Sequence, residues 1–171
     1  GKFMVLNNLG ILYGAFNNEE MALKYFNEAL LVEPNGPDSN NLAITYNNLG
    51  SVFIRLKDFG SALKYHQKSL EIKYRLNDTK GIAASLNNIG ALYMEMRNAD
   101  QALVNFKEAY RYARQNDNKQ ALIYSSINLG TLYYNSGKRD DAFTVLKEGE
   151  AVAETIDAKI YLKDIYKLLS Q

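Results

Sequence analysis

Asn7-Asn8-Leu9-Gly10 returns as Asn47-Asn48-Leu49-Gly50, then as Asn87-Asn88-Ile89-Gly90, then as Ile127-Asn128-Leu129-Gly130, each time after a step of 40 residues. In the same register Tyr13 recurs as Phe53, Tyr93 and Tyr133, and Ala22 recurs as Ala62, Ala102 and Ala142. A chain that repeats itself at such a period is built from copies of one supersecondary unit. Apolar residues within a copy are spaced for helices: Leu6, Leu9 and Tyr13, then Ala22, Phe26, Ala29 and Leu30. Each copy therefore reads as two helices, the first carrying the Asn-Leu-Gly signature and the second the Ala. The second helices are predicted at 19–33, 59–75, 100–114 and 140–154. Asn17-Asn18, Lys57-Asp58, Arg97-Asn98 and Ser136-Gly137-Lys138 punctuate the copies. Longer loops rich in Asn, Asp, Gly and Pro are predicted between copies, at 33–40, 76–79, 115–118 and 155–157, and their Asp or Asn residues are placed to cap the next helix. Both prolines, Pro34 and Pro37, fall in the first of these loops, where they interrupt no helix. No strand-like alternation of any length is present.

A helix hairpin cannot bury its own apolar faces, whereas stacked hairpins share a continuous core. The predicted fold is all-α: an α-α superhelix, a single solenoid of antiparallel helix hairpins over 1–171, with repeats near 1–38, 39–77, 78–117 and 118–157. Leu169 carries the register one step past Leu129, so 158–171 reads as the first helix of a fifth copy or as a cap. A glycine inside a helix costs about 1 kcal/mol relative to Ala. Gly10, Gly50, Gly90 and Gly130 are tolerated if they admit the second helix closely, with the small Ala as the expected partner.

At these residues the chain resembles the tetratricopeptide repeat family, whose pattern is a large residue, Leu-Gly and Tyr on the first helix, then Ala, Phe and Pro on the second. The first copy matches with Leu6, Leu9-Gly10, Tyr13, Ala22, Phe26 and Pro34. The second has Tyr46, Leu49-Gly50, Phe53 and Ala62, with His66 where Phe is usual. The third has Leu86, Ile89-Gly90, Tyr93, Ala102 and Phe106; the fourth has Ser126, Leu129-Gly130, Tyr133, Ala142 and Leu146. The usual Trp is absent, the closing Pro stands in the first copy alone, and the period exceeds the family's 34. This longer variety is similar to repeats of kinesin light chains and bacterial peptide-responsive regulators. The stretch 78–90 resembles repeats found ahead of bacterial sensor histidine kinases and nucleotide cyclases. The resemblance implies a recognition module within a longer signalling protein, any catalytic domain lying outside 1–171.

In the family the first helices line a concave surface. Opposite the packing face of the first helix lie Met4, Asn8, Ile11 and Ala15, and the later copies present Ile44, Asn48, Ser51, Arg55; Ala84, Asn88, Ala91, Glu95; and Tyr124, Asn128, Thr131, Asn135. These sets are expected to form one extended groove. Asn is a poor residue for a helix interior, about 0.5 kcal/mol worse than Ala, because its amide competes with the backbone. A primary amide both donates to a peptide carbonyl and accepts from a peptide N–H. The candidate peptide-binding residues are therefore Asn8, Asn48, Asn88 and Asn128, with Ile44, Arg55, Glu95, Tyr124 and Asn135 beside them. An inter-repeat hydrogen bond that fixes the superhelix is the competing reading, and it is favoured for Asn7, Asn47 and Asn87, which lie nearer the packing face. Arg55 and Glu95 are the groove's two charges. The Lys and Arg of the family's carboxylate clamp are replaced by Met4, Ile44, Ala84 and Tyr124, so the expected partner is a neutral or mildly apolar peptide. Tyr124 and Tyr134 offer amphipathic contacts, with packing favoured for Tyr134.

The composition narrows the rest. Of the 171 residues 20 are Lys or Arg and 19 Asp or Glu, a net charge of +1, so little is left over to neutralise phosphates. With no cysteine and one histidine, thiolate nucleophiles and most zinc sites are excluded. His66 is expected in the core, and Glu19-Glu20 and Asp140-Asp141 at helix starts, where the dipole favours anions. No phosphate-binding glycine loop is present. The sequence thus predicts no cofactor and no enzyme within 1–171, a protein or extended-peptide partner, no nucleic acid and no membrane insertion. The alternative is a structural spacer or a module that self-associates through the ends of the solenoid.

Overall fold

The computed structural model describes residues 1–32 and 40–170, and the Pro34 and Pro37 loop lies outside them. Nine helices follow in order among the described residues: α1 Lys2–Ala15, α2 Glu19–Leu31, α3 Asn40–Arg55, α4 Phe59–Arg75, α5 Thr79–Glu95, α6 Ala99–Gln115, α7 Lys119–Asn135, α8 Arg139–Thr155 and α9 Lys159–Leu169. They group into two compact units, Gly1–Asp78 with α1–α4 and Thr79–Gln171 with α5–α9. The expected all-α class and hairpin order are present, and α6 and α8 run one residue further at each end than the pattern indicated.

The loops depart from expectation. Described connections between copies are as short as those within a copy: three residues at 76–78, 116–118 and 156–158, against three at 56–58, 96–98 and 136–138. One motif explains both. Asn17, Lys57, Asn77, Arg97, Asp117, Gly137 and Asp157 all have positive φ, between 48° and 74°. The next residue's N–H then donates back to a carbonyl five residues earlier, as in Asp58 to Phe53 at 3.0 Å, Asn98 to Tyr93 at 2.8 Å and Ala158 to Ala153 at 2.9 Å. This left-handed stop satisfies carbonyls that the helix end would otherwise leave open. From Lys57 to Asp157 it recurs every 20 residues, so the apparent loop between copies is there a second use of the same turn. The cap expected at Asn118 forms, accepting from the Ala121 N–H, whereas α9 starts on Ala158 without a side-chain cap; the turns within copies add Asn18, Asp58 and Asn98, which accept from the N–H groups of Met21, Ser61 and Gln101. Hydrogen bonding from Ser61 lowers the Asp58 carboxyl below its ordinary range.

Each first helix packs on its own second helix, and first helices also meet one another within each unit, α1 with α3, α5 with α7 and α7 with α9. In the first unit Ala22, Phe26, Leu49 and Val52 form a core, with Tyr13, Leu23, Leu30 and Tyr46 against it. In the second, Ala102, Phe106, Leu129, Leu132, Tyr133, Ala142 and Val145 do the same, with Tyr134 packed on them. Burying a side chain such as Phe26 contributes about 1.5–3 kcal/mol.

The helix glycines are in close approach, but their partner is not the Ala. A Cβ on Gly10 would stand 2.6 Å from Phe26, on Gly50 2.8 Å from His66, on Gly90 2.5 Å from Phe106 and on Gly130 2.6 Å from Leu146. The large residue four positions after the Ala therefore lies across the glycine. The Ala itself is fully buried in three copies and nearly so in the fourth, which lets that ring reach so far.

Candidate functional site

The second unit carries the larger concavity. A cavity of about 560 Å³ opens between α5 and α7, lined by Lys80, Ala84, Asn87, Asn88, Ala91, Asn118, Gln120, Ala121, Tyr124 and Asn128. Asn88 and Asn128 are half-buried in its wall and Tyr124 is partly exposed beside them. Three alanines leave the space, five amides supply donors and acceptors, and the lining includes no carboxylate. Its volume lies in the range of small-ligand and peptide-anchor pockets, roughly 300–1,000 Å³.

A hydrogen-bonded chain fixes those amides. Asn87 Nδ2 donates to the Ser125 hydroxyl at 2.8 Å, and Ser125 donates to its own helix at the Ala121 carbonyl, also 2.8 Å. Asn128 Nδ2 donates to Asn87 Oδ1 at 3.3 Å. The first Asn of the pair is thus a tie between copies, as its place near the packing face indicated. The second Asn both touches that tie and faces the cavity. In the first unit the equivalent tie joins Asn7 and Thr45, whose hydroxyl donates to Asn7 Oδ1 at 2.8 Å. The Tyr124 hydroxyl lies 2.6 Å from that of Tyr161 on α9, and the two rings meet edge to face at 4.9 Å. That hydrogen bond raises the Tyr124 phenol above its ordinary pKa.

The first unit has a smaller cleft of about 190 Å³ between α1 and α3, lined by Gly10, Ile11, Gly14, Ala15, Phe26, Asn48, Ser51, Val52 and Arg55. Arg55 Nε is held by Glu19 Oε1 at 2.9 Å, and this bond keeps the Glu19 carboxyl below its usual range. Of the residues singled out from sequence, Asn48 and Arg55 meet in this cleft, and Asn88, Tyr124 and Asn128 meet in the larger cavity. Asn8, Ile44, Glu95 and Asn135 line neither, and all four are exposed. Sequence reasoning missed Lys80 and Gln120. They stand one helical turn before Ala84 and Tyr124 on the same stripe, so extending the helical wheel by four residues finds them. It also read Asn118 as a cap alone, whereas Asn118 both caps α7 and borders the cavity.

Tyr134 packs on the core, with the Arg139 guanidinium 5.5 Å from its ring centre. His66 is 1% exposed, and neither of its ring nitrogens has a hydrogen-bond partner. Burial, reinforced by the nearby Lys73 charge, lowers its pKa from 6.5 to about 4. A neutral imidazole under Gly50 fills the place of a phenyl ring. Among the described residues no three His, Cys, Asp or Glu side chains gather as a metal site. None of the helices is long and apolar enough to cross a membrane, among those same residues.

Known structures share the fold. BtubC (BKLC) from P. vanneervenii is 25% identical with a TM-score of 0.79, over 91% of this chain and 64% of that one. Aspartyl phosphate phosphatase F from Bacillus subtilis is 19% identical with a TM-score of 0.92, over 99% of this chain and 44% of that one. The apo form of RapI is 19% identical with a TM-score of 0.84, over 96% of this chain and 60% of that one. The present chain therefore spans less than two thirds of each of these three proteins. No curated protein matches it. The tetratricopeptide repeat model matches residues 6–75 and 81–155, which hold all four copies of the Asn-Leu-Gly signature. On that match the chain belongs to the tetratricopeptide repeat family.

Proposed function

We propose that this chain is a non-catalytic scaffold that binds an uncharged, extended peptide segment of another protein in the cavity between α5 and α7. The observation that supports the reading most is the lining: Asn88, Asn128, Asn118 and Gln120 beside Ala84, Ala91 and Ala121. Side-chain amides there match backbone N–H and C=O groups, and the alanines leave room for a main chain to approach. Lys80 at the rim and no carboxylate in the wall disfavour a basic peptide. Glu95 and Asn135 are proposed as flanking positions on α5 and α7, and Asn8, Ile44, Asn48 and Arg55 as peptide-contacting positions on the first unit's own α1 and α3. Repeats of this variety accompany bacterial sensor kinases and regulators, and a sensory or scaffolding segment of such a protein is the context we favour.

The test is an array of uncharged extended peptides probed with the chain and with two variants. Asn88→Ala should weaken the strongest positives at least about tenfold, as expected for hydrogen bonds lost from a desolvated site. Ala84→Met should abolish them by filling the cavity while leaving the melting curve in place. Retained binding in both variants overturns the proposal.

A further inference from the structure

A side-chain amide presents donors at one end and an acceptor at the other, so an unrestrained one turns over to suit either kind of ligand group. Asn128 in the cavity wall is restrained. Two buried residues hold it, Asn87 directly and Ser125 through Asn87. Ser125 is fully buried and Asn87 is 8% exposed, so solvent does little to satisfy either.

The polarity starts on the backbone of α7. The Ser125 hydroxyl has one proton, and it goes to the Ala121 carbonyl at 2.8 Å. What Ser125 then offers Asn87 is a lone pair, and Asn87 meets it with Nδ2, also at 2.8 Å. That turns Asn87 Oδ1 toward Asn128, which answers with its own Nδ2 at 3.3 Å. One end of the Asn128 amide is thereby committed. The carbonyl oxygen at the other end forms no hydrogen bond with another described residue, and Asn128 is half-buried in the cavity lining. Turning Asn87 over by itself would set oxygen against oxygen at Ser125 and nitrogen against nitrogen at Asn128, two mismatches away from water. The relay therefore reverses only if all three groups turn together. A tie of the other polarity stands in the first unit, where the Thr45 hydroxyl donates to Asn7 Oδ1.

We propose that Ser125 and Asn87 are positioning residues that lock Asn128 with its carbonyl oxygen toward the ligand, so that the cavity selects a peptide N–H at that point and rejects a residue without one. This deepens the peptide-binding reading and rests on it. A locked amide discriminates because the wrong group sets acceptor against acceptor, with no rotation to relieve the clash. Proline is excluded at the facing residue on the same ground, since it has no N–H.

The test takes the strongest uncharged peptide from the array and replaces each of its backbone amides in turn by an ester, which exchanges the N–H for an oxygen and keeps the outline of the chain. At one residue the ester should weaken binding at least about tenfold. Ser125→Ala releases the relay, and the same ester should then cost about threefold or less, whatever happens to the affinity for the all-amide peptide. Asn87→Ala frees Asn128 by a second route and should shrink the loss likewise. Ser125→Thr keeps the hydroxyl, in the residue type that stands at the matching position as Thr45, and should retain the full loss. A Ser125 that only supported the fold would weaken both peptides alike and leave their ratio unchanged. An ester tolerated at every residue, or a ratio that stays the same in Ser125→Ala and Asn87→Ala, overturns the relay while the peptide site stands. An array without a positive overturns the peptide site and the relay with it.

Discussion

The two units are built from one pattern, yet their concave sides differ. α1 places Met4 and Ile11 where α5 places Ala84 and Ala91. The first unit's cleft is about 190 Å³ and further closed by Arg55 on Glu19; the second unit's cavity is about 560 Å³ and walled by amides. Their cores differ in one matching pair as well, Gly50 over His66 against Gly130 over Leu146. The shared backbone therefore sets where a surface lies, and a few side chains at fixed register positions decide whether it is filled or open. The same holds at the core, where a glycine fixes the approach and the facing ring decides how the site responds to acid.

The strongest test of the core comparison is Gly→Ala in both units. At Gly90 a new Cβ would stand 2.5 Å from the Phe106 ring, and at Gly50 2.8 Å from His66. Overpacking of this kind is expected to cost about 3 kcal/mol at Gly90 and less at Gly50, read as loss of stability in urea. Second is the pH dependence confined to the first unit. His66 has a folded pKa of about 4 against its ordinary 6.5, so the folded chain binds fewer protons than the unfolded chain between those values. Its contribution is present in full above pH 6.5 and declines as pH falls toward 4, a loss of about 3 kcal/mol. His66→Phe should remove that decline and raise stability at pH 7 by about 1–2 kcal/mol, because two unpartnered nitrogens leave the core. Denaturation at pH 7 and pH 4.5 checks both parts.

The tie between copies comes next. Asn87→Ala removes the bonds to Ser125 and from Asn128 and should cost about 1–2 kcal/mol. Asn88→Ala, at the half-buried position that faces the cavity, should cost less stability than Asn87→Ala at the buried one. Smallest is the turn. Lys57 and Arg97 occupy left-handed positions at φ 59° and 57°. Glycine at either should stabilise by about 1 kcal/mol, one substitution in each unit, seen as a higher midpoint in urea.

Much of this was legible in the sequence because the repeat itself is a physical signal. Four copies of the Asn-Leu-Gly signature located α1, α3, α5 and α7, and the Asx residues of the predicted loops between copies marked the cap at Asn118. The 20-residue recurrence of the turn was harder to see. Its left-handed residue is Asn, Asp, Lys, Arg or Gly, and backbone geometry rather than residue type unites them. Ala22 was a misleading partner for Gly10 because both are small, whereas close packing sets a glycine against a large ring. The cavity could not be read directly either. The stripe that holds Asn88 and Asn128 was evident, but its depth arises from Ala84, Ala91 and Ala121 acting together across two helices.

The seven left-handed stops have a kinetic consequence. Every helix ends on its own local hydrogen bonds, and the side-chain ties between copies join residues 38 and 41 apart. Relative contact order is correspondingly low, which favours rapid folding that starts at more than one hairpin. Amide exchange should then be graded along the chain, fastest at the α1 and α9 termini and slowest around Phe106 and Leu129, rather than lost in one cooperative step.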